Sequence, residues 1–173
     1  MDETTLSLHP PLRACWMKRG QQKRIATPGQ QASHHVLGAY NWHDDTVTWT
    51  TAARKNSQSF VAFLEHLLVE QYPDQIVVLV LDNASFHKSA AALAALSLFE
   101  HRLWPLWLPP YCSTLNPIER FWRHLKDQVC FNKLFPCLNS LVAAVERTLT
   151  TQNDLANPHR FSFLKLIPES TVV

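Results

Sequence analysis

The stretch "QIVVLVLDNASFHKS", residues 75–89, decides how the rest of the chain is read. The run from Ile76 to Leu81 is continuously aliphatic and rich in β-branched residues, the pattern of a strand buried on both faces. It stops abruptly at Asp82, and Asn83, Ser85, His87 and Lys88 follow. Taken alone, Asp82 reads equally well in two ways. It opens an ordinary surface turn, or it is a carboxylate held by a strand over a reactive site.

Working upstream, "SQSFVAFLEHLLVEQYP" repeats apolar residues at helical spacing (Phe60, Phe63, Leu64, Leu67, Leu68). Asn56 or Ser57 can cap its start, and Pro73 lies beyond its end. "VLGAYNWHDDTVTWTT", residues 36–51, is rich in β-branched and aromatic residues with a turn at 41–45, so a hairpin is expected. Residues 10–31 are basic and polar, with Gly20 marking a turn between two short extended pieces. Downstream, "SAAALAALSLFEH" reads as a helix and "LWPLWLPPY" as a last strand leading into a loop. "NPIERFWRHLKDQV" is a third helix, with Asn116 as N-cap, Pro117 at the first helical position, and Ile118, Phe121, Trp122, Leu125 and Val129 on one face. A fourth helix covers about 138–151. The expected organisation is one domain over 1–152 and an irregular tail over 153–173. Strands alternating with helices give an α/β fold, a mixed sheet covered by helices.

Bulk properties fit this reading. The chain has 173 residues, 46% hydrophobic and 17% charged, and a formal net charge of +2. That length supports one domain with a core, and the composition is that of a folded chain. The charge is too small to identify a partner, so any nucleic-acid argument rests on local clusters. Cys15, Cys112, Cys130 and Cys137 lack zinc-knuckle spacing and read as reduced thiols of a cytoplasmic protein. No segment approaches eighteen apolar residues. The start "MDETTLSLHP" has no signal-peptide character.

Three carboxylates draw attention: Asp82, Glu119 in the first turn of the third helix, and Asp2. Each has a structural alternative. Glu119 three residues after Asn116 closes a capping box and suits the helix dipole, and Asp2 is an exposed terminal charge. "LVLDNASFHKS" followed by "WPLWLPPYCSTLNPIERFWRHLK" resembles the DDE transposases, more narrowly the bacterial insertion sequence 630 group, relatives of the mariner elements. The blocks match over most of the chain. The resemblance implies that Asp82 and Glu119 are the second and third catalytic acids and that "DETTL" supplies the first, Asp2. It implies an RNase H-like fold, a five-stranded mixed sheet with helices on both faces. It places the first Asp on a central strand with apolar residues before it. Only Met1 precedes Asp2 here, so a shortened first strand is expected, and the chain is expected to be a catalytic half without the upstream helix-turn-helix.

The resemblance further implies two Mg²⁺ (or Mn²⁺) ions held by Asp2, Asp82 and Glu119, hydrolytic nicking of element-end DNA, and attack of the freed 3′-hydroxyl on target DNA. A TA target, a homodimer bridging two element ends and a nucleoid location are expected on the same ground. Asn83 and His87 are candidates for orienting metal-bound water or phosphate, and Tyr111 and Asn116 for contacts beside the site. Lys18, Arg19, Lys23 and Arg24, with Lys88, Arg120 and Arg123, are candidate DNA contacts; for each the alternative is a solvated face or a local ion pair. Trp16, Trp42, Trp49, Trp104 and Trp107 read as core or interface. A rival reading is a non-catalytic RNase H-like module that binds DNA or assembles without cutting. A resolvase or ribonuclease H fits the Leu-Pro-Pro-Tyr and Asn-Pro-Ile-Glu blocks less well.

Overall fold

The computed structural model describes residues 1–26, 29, 31–110, 112, 115–157 and 160–161. The chain runs β1 (Asp2–Ser7), β2 (Ser33–Asn41), β3 (Thr46–Ala52), α1 (Ser57–Glu65), β4 (Val77–Leu81), α2 (Ala90–Leu98), β5 (Leu103–Trp107), α3 (Pro117–Val129) and α4 (Leu138–Asn153). A π-helical turn, His66–Gln71, extends α1, and a 3₁₀ turn, Ser85–Lys88, precedes α2.

The strands fall into two ladders. β1, β2 and β3 form an antiparallel sheet, with Asp2 opposite Gly38, and β4 pairs with β5 in parallel through the α2 crossover. The hairpin expected at 36–51 is present, and Asp45 takes a positive φ of 51° in its turn, a conformation Asp tolerates. The expected single five-stranded sheet is therefore two ladders. The Met1 amine links them, donating to the Val80 carbonyl at 2.8 Å. β1 lies opposite β2 only up to Gly38, so too little of it runs beside β4 to make a ladder. The strand at residues 2–7 was implied by the resemblance and not marked by the residue pattern itself. The two extended pieces expected in 10–31 are absent from the described part of that loop, although Gly20 does turn, at φ 83°.

Helices cover the sheet on both faces. α1 and α2 bury Phe60, Phe63, Leu64 and Leu96 against Leu37, Leu79 and Leu81. Asn56 caps α1 in a capping box with Ser59. On the other face α3 and α4 pack Ile118, Phe121, Leu125, Val145 and Leu149 onto Leu6, Val36 and Val47. The apolar face read for α3 is the face it buries. Phe161 is fully buried in the same cluster; residues 158–159 and 162–173 of the expected tail lie outside the described residues.

Gly38 fixes how closely α3 approaches. A Cβ built there would stand 2.8 Å from the Trp122 ring and 3.3 Å from the Thr48 carbonyl. The missing side chain lets the indole lie on β2 directly beside Asp2. Glu119, three residues earlier on the same helical face, is thereby carried toward the start of β1.

Two packing expectations are corrected. β4 is not buried on both faces: Leu79 and Leu81 are buried, but Val78 is 59% exposed. The α3–α4 layer sits over β1–β3 and leaves that side of β4 uncovered. Trp16, Trp42 and Trp104 are exposed rather than core, whereas Trp49 and Trp107 are partly buried against the two clusters.

Candidate active site

Asp82 follows β4 directly. Its Oδ1 accepts from the Ala84 amide at 3.0 Å, so it does open an Asx turn, the bland reading of this position. The same oxygen lies 2.9 Å from His87 Nδ1. His87 is fully buried, and its Nε2 is 2.8 Å from Glu3 Oε1. Lys55 Nζ stands 3.1 Å from the other Glu3 oxygen. A chain of alternating charge thus runs Lys55–Glu3–His87–Asp82, buried at Glu3 and His87 and partly exposed at its two ends. Burial alone would lower His87, but its bonds to Asp82 and Glu3 and their charges win and raise it to about 9. The same bond holds the Asp82 carboxyl below the usual range.

This corrects the expected role of His87. Both ring nitrogens face carboxylates inside the protein, so the ring fixes Asp82 from behind and does not reach a phosphate. Glu3 and Lys55 were missed in the sequence. Alternation along β1 turns Glu3 away from Asp2 and into the interior, a signal usable only once residues 2–7 are known to be a strand.

Asp2 begins β1. Burial, reinforced by the nearby charges of Glu3 and Glu119, pushes it up to about 6. Glu119 sits in the first turn of α3 and lines two clefts. One, of about 300 Å³, also contains Asp2, Trp122, Arg123 and Lys126. The other, of about 190 Å³, contains Asp82, Asn83 and the Leu108–Pro110 segment. Glu119 thus lines one cleft with Asp2 and another with Asp82. Among the described residues, no three His, Cys, Asp or Glu side chains converge on one metal position.

Asn116 holds the Asp2 side of the site together in an unforeseen way. It occupies the N-cap position of α3 but makes no side-chain cap bond. Its buried Nδ2 instead donates to the Met1 carbonyl at 3.1 Å, tying the start of β1 to the start of α3. With no cap bond from Asn116, the capping box that was the structural alternative for Glu119 is not completed; its carboxylate lies in the positive first turn of α3. Asn83 donates to the Leu108 carbonyl and accepts from Lys88, whose ammonium also lies over the Trp107 ring. Asn83 and Lys88 thus brace the strand ends. Tyr111 lies outside the described residues.

Arg120 and Arg123 project from the exposed side of α3, and Lys126 lies close enough to Asp2 to feel its charge. Lys18, Arg19, Lys23 and Arg24 are exposed on the long β1–β2 loop. The four cysteines are free thiols, and no helix among the described residues is long and apolar enough to cross a membrane.

A family profile described as DDE superfamily endonuclease matches residues 1–142. The chain is 29% identical over 150 residues to the insertion element IS630 uncharacterized 39 kDa protein of Shigella sonnei, covering 87% of this chain and 43% of that protein. Among solved structures it resembles the Mos1 transposase paired-end complex with left transposon end, at a TM-score of 0.61 and 16% identity over 86% of this chain and 46% of that one. The Mos1 mariner paired-end complex with Mn is similar at 0.60 and 16% identity, over the same shares of the two chains. A simian T-cell lymphotropic virus intasome matches at 0.51 and 15% identity, over 82% of this chain and 51% of that one. At such identities the likeness speaks for the fold, which is RNase H-like. The chain spans less than half the length of the insertion-element protein and of the Mos1 chain.

Proposed function

The chain belongs to the DDE superfamily endonucleases, and from that premise we propose that it is the catalytic domain of a DNA transposase, nicking element-end DNA and joining the freed 3′-hydroxyl to target DNA. The observation that carries this reading is the shared position of Glu119, which lines one cleft with Asp2 and another with Asp82. Asp2, Asp82 and Glu119 would hold two Mg²⁺ or Mn²⁺ ions. Carboxylate oxygens are the donors such hard cations prefer, and a bound cation would offset the burial and, after it, the neighbouring negative charge that raise Asp2 to about 6. When bound, such ions stabilise charge on phosphate oxygens and make water a better nucleophile.

The chain's own residues set the stage for that chemistry. His87, braced by Glu3 and Lys55, keeps Asp82 ionised and in one orientation. Asn116 holds Asp2 beside Glu119 through the Met1 carbonyl. Arg123 and Lys126 line the Asp2 cleft, where a phosphodiester backbone would lie, and Arg120 and the 18–24 loop extend the basic surface. Binding of this kind weakens steeply with salt. That the similar solved structures include paired-end complexes supports a DNA partner and a homodimer bridging two ends.

The test is to incubate the chain with element-end DNA and Mn²⁺, beside Asp82→Ala and Glu119→Ala, and to record both nicking and thermal stabilisation by the metal. Both effects are expected in the parent and lost in the folded variants. Variants that match the parent in both would refute the assignment. A second reading, a DNA-binding module that does not cut, is favoured by the lack of three convergent ligands among the described residues. It predicts salt-sensitive DNA binding with no nicking in either metal.

A further inference from the structure

Trp16, on the β1–β2 loop, takes no part in the chemistry above. It is fully exposed, at 102%, although an indole is among the largest apolar payloads a core can take. Its surroundings are cationic. No Asp or Glu stands between Glu3 and Asp44, and Lys18, Arg19, Lys23 and Arg24 are exposed on the same loop. The other two exposed indoles differ. Trp42 lies edge-on to His43 and is followed by Asp44 and Asp45, which repel phosphate. Trp104 stands in β5 in register with Val78, and both belong to an apolar patch with Leu106.

The root of this loop is clamped beside the Asp2 cleft. Asn132, at φ 55°, turns its side-chain amide onto Arg13. Its Oδ1 accepts from the Arg13 amide at 3.1 Å, and its Nδ2 donates to the Arg13 carbonyl at 2.9 Å. The Asn132 main-chain amide donates to the Pro11 carbonyl at 3.1 Å. The Arg13 guanidinium pairs with Asp127 of α3 and lies 5.3 Å over the Phe131 ring. Phe131 in turn lines the cleft with Asp2 and Glu119. Trp16 follows Arg13 by three residues, so the chain holds it within ~10 Å of this clamp. That span is about three stacked nucleotides at ~3.4 Å each. Beyond Trp16 the Gln21 amide donates to the Lys18 carbonyl at 2.9 Å and Gly20 takes a φ of 83°, which folds the basic tip back on itself.

We infer that Trp16 is a stacking platform for an unpaired base of the DNA strand whose phosphates lie in the Asp2 cleft. The inference rests on the DNA substrate proposed above. The exposed indole face meets a base by π-stacking, which is indifferent to the identity of that base, and the flanking cations hold the adjoining phosphates. The base is one splayed out of its stack, because inside a duplex both of its faces are covered by its neighbours. Clamping the loop at Asn132 lowers the entropy cost of holding the indole beside the cleft.

The test uses the full 173-residue chain and three end-labelled probes followed by fluorescence anisotropy at one salt concentration. They are a single-stranded oligothymidylate of about twelve nucleotides, an abasic strand of the same length, and a blunt duplex. Trp16→Ala is expected to weaken oligothymidylate binding by roughly five- to a hundredfold and to leave abasic binding unchanged. Trp16→Phe should keep most of the affinity, and Trp42→Ala should alter neither. Trp16 is fully exposed, so thermal unfolding of its variants should match the parent and separate lost binding from lost fold. The inference is overturned if Trp16→Ala binds oligothymidylate as the parent does, or if it loses equally on the abasic strand. It is equally overturned if the parent sediments as a dimer that Trp16→Ala dissolves, which would give the indole to a second copy. A parent that binds only the duplex sinks the stacking and leaves the DNA substrate standing; a parent that binds none of the three refutes both.

Discussion

Replacing Gly38 by alanine probes the contact that sets α3 against the sheet. In an ordinary strand position this change stabilises by about 0.4–1 kcal/mol, because it removes freedom from the unfolded chain. Here the new methyl would sit 2.8 and 2.9 Å from two atoms of the Trp122 ring. The indole is only 4% exposed and packed beside Phe121, so any shift that relieves the clash disturbs that packing. Overpacking of this kind costs about 1–3 kcal/mol, and the clash therefore outweighs the entropic gain. The expected net loss is about 1–2 kcal/mol, a fall in Tm of roughly 2–8 °C for a chain of this size. Trp122→Phe removes the two offending atoms, so Gly38→Ala in that background should be neutral or stabilising. Urea unfolding of the four proteins in the double-mutant cycle measures the coupling. A Gly38→Ala variant that is more stable than the parent, or a cycle that is additive within 0.5 kcal/mol, would show that α3 does not rest on Gly38.

The remaining expectations follow from the same contacts. His87 is raised to about 9 in the folded protein against 6.5 unfolded, so its contribution is fully present below pH 6.5 and is lost as pH rises through 9. The difference is about 3 kcal/mol; His87→Gln should flatten urea-measured stability across that window, and an unchanged slope would refute the buried imidazolium. Asn116→Ala strands the buried Met1 carbonyl and should cost about 1–3 kcal/mol, read by thermal unfolding; Asn116→Asp, which cannot donate when ionised, should not rescue it. Phe121→Ala at the centre of the α3–α4 cluster should cost about 3–5 kcal/mol, and a loss under 1 kcal/mol in urea titration would mean that this layer is loosely packed.

Much of the architecture was legible because local pattern forced it. α3 shows its five buried residues at helical spacing, and Pro117 starts it. The hairpin carries its turn between two β-branched runs. The 76–81 run identified β4, but not how it is buried, since continuous hydrophobicity marks a strand without saying what covers each face. The residue pattern did not mark β1 because "DETTLS" is almost wholly polar, and Glu3 and Thr4, on opposite faces of the strand, are buried by partners remote in sequence.

The sequence by itself determined that Asp82 ends a strand and that Glu119 opens a helix, because propensity, capping position and hydrophobic period are local properties. It determined the family as well, through the two blocks that carry those acids. Only the tertiary structure decided what surrounds them. His87 turns inward to a Glu 84 positions away, Asn116 abandons its cap to hold Met1, and Gly38 admits Trp122 beside Asp2. Each of these is a contact between segments far apart in the chain, fixed by how the layers stack and not by any residue's own preference.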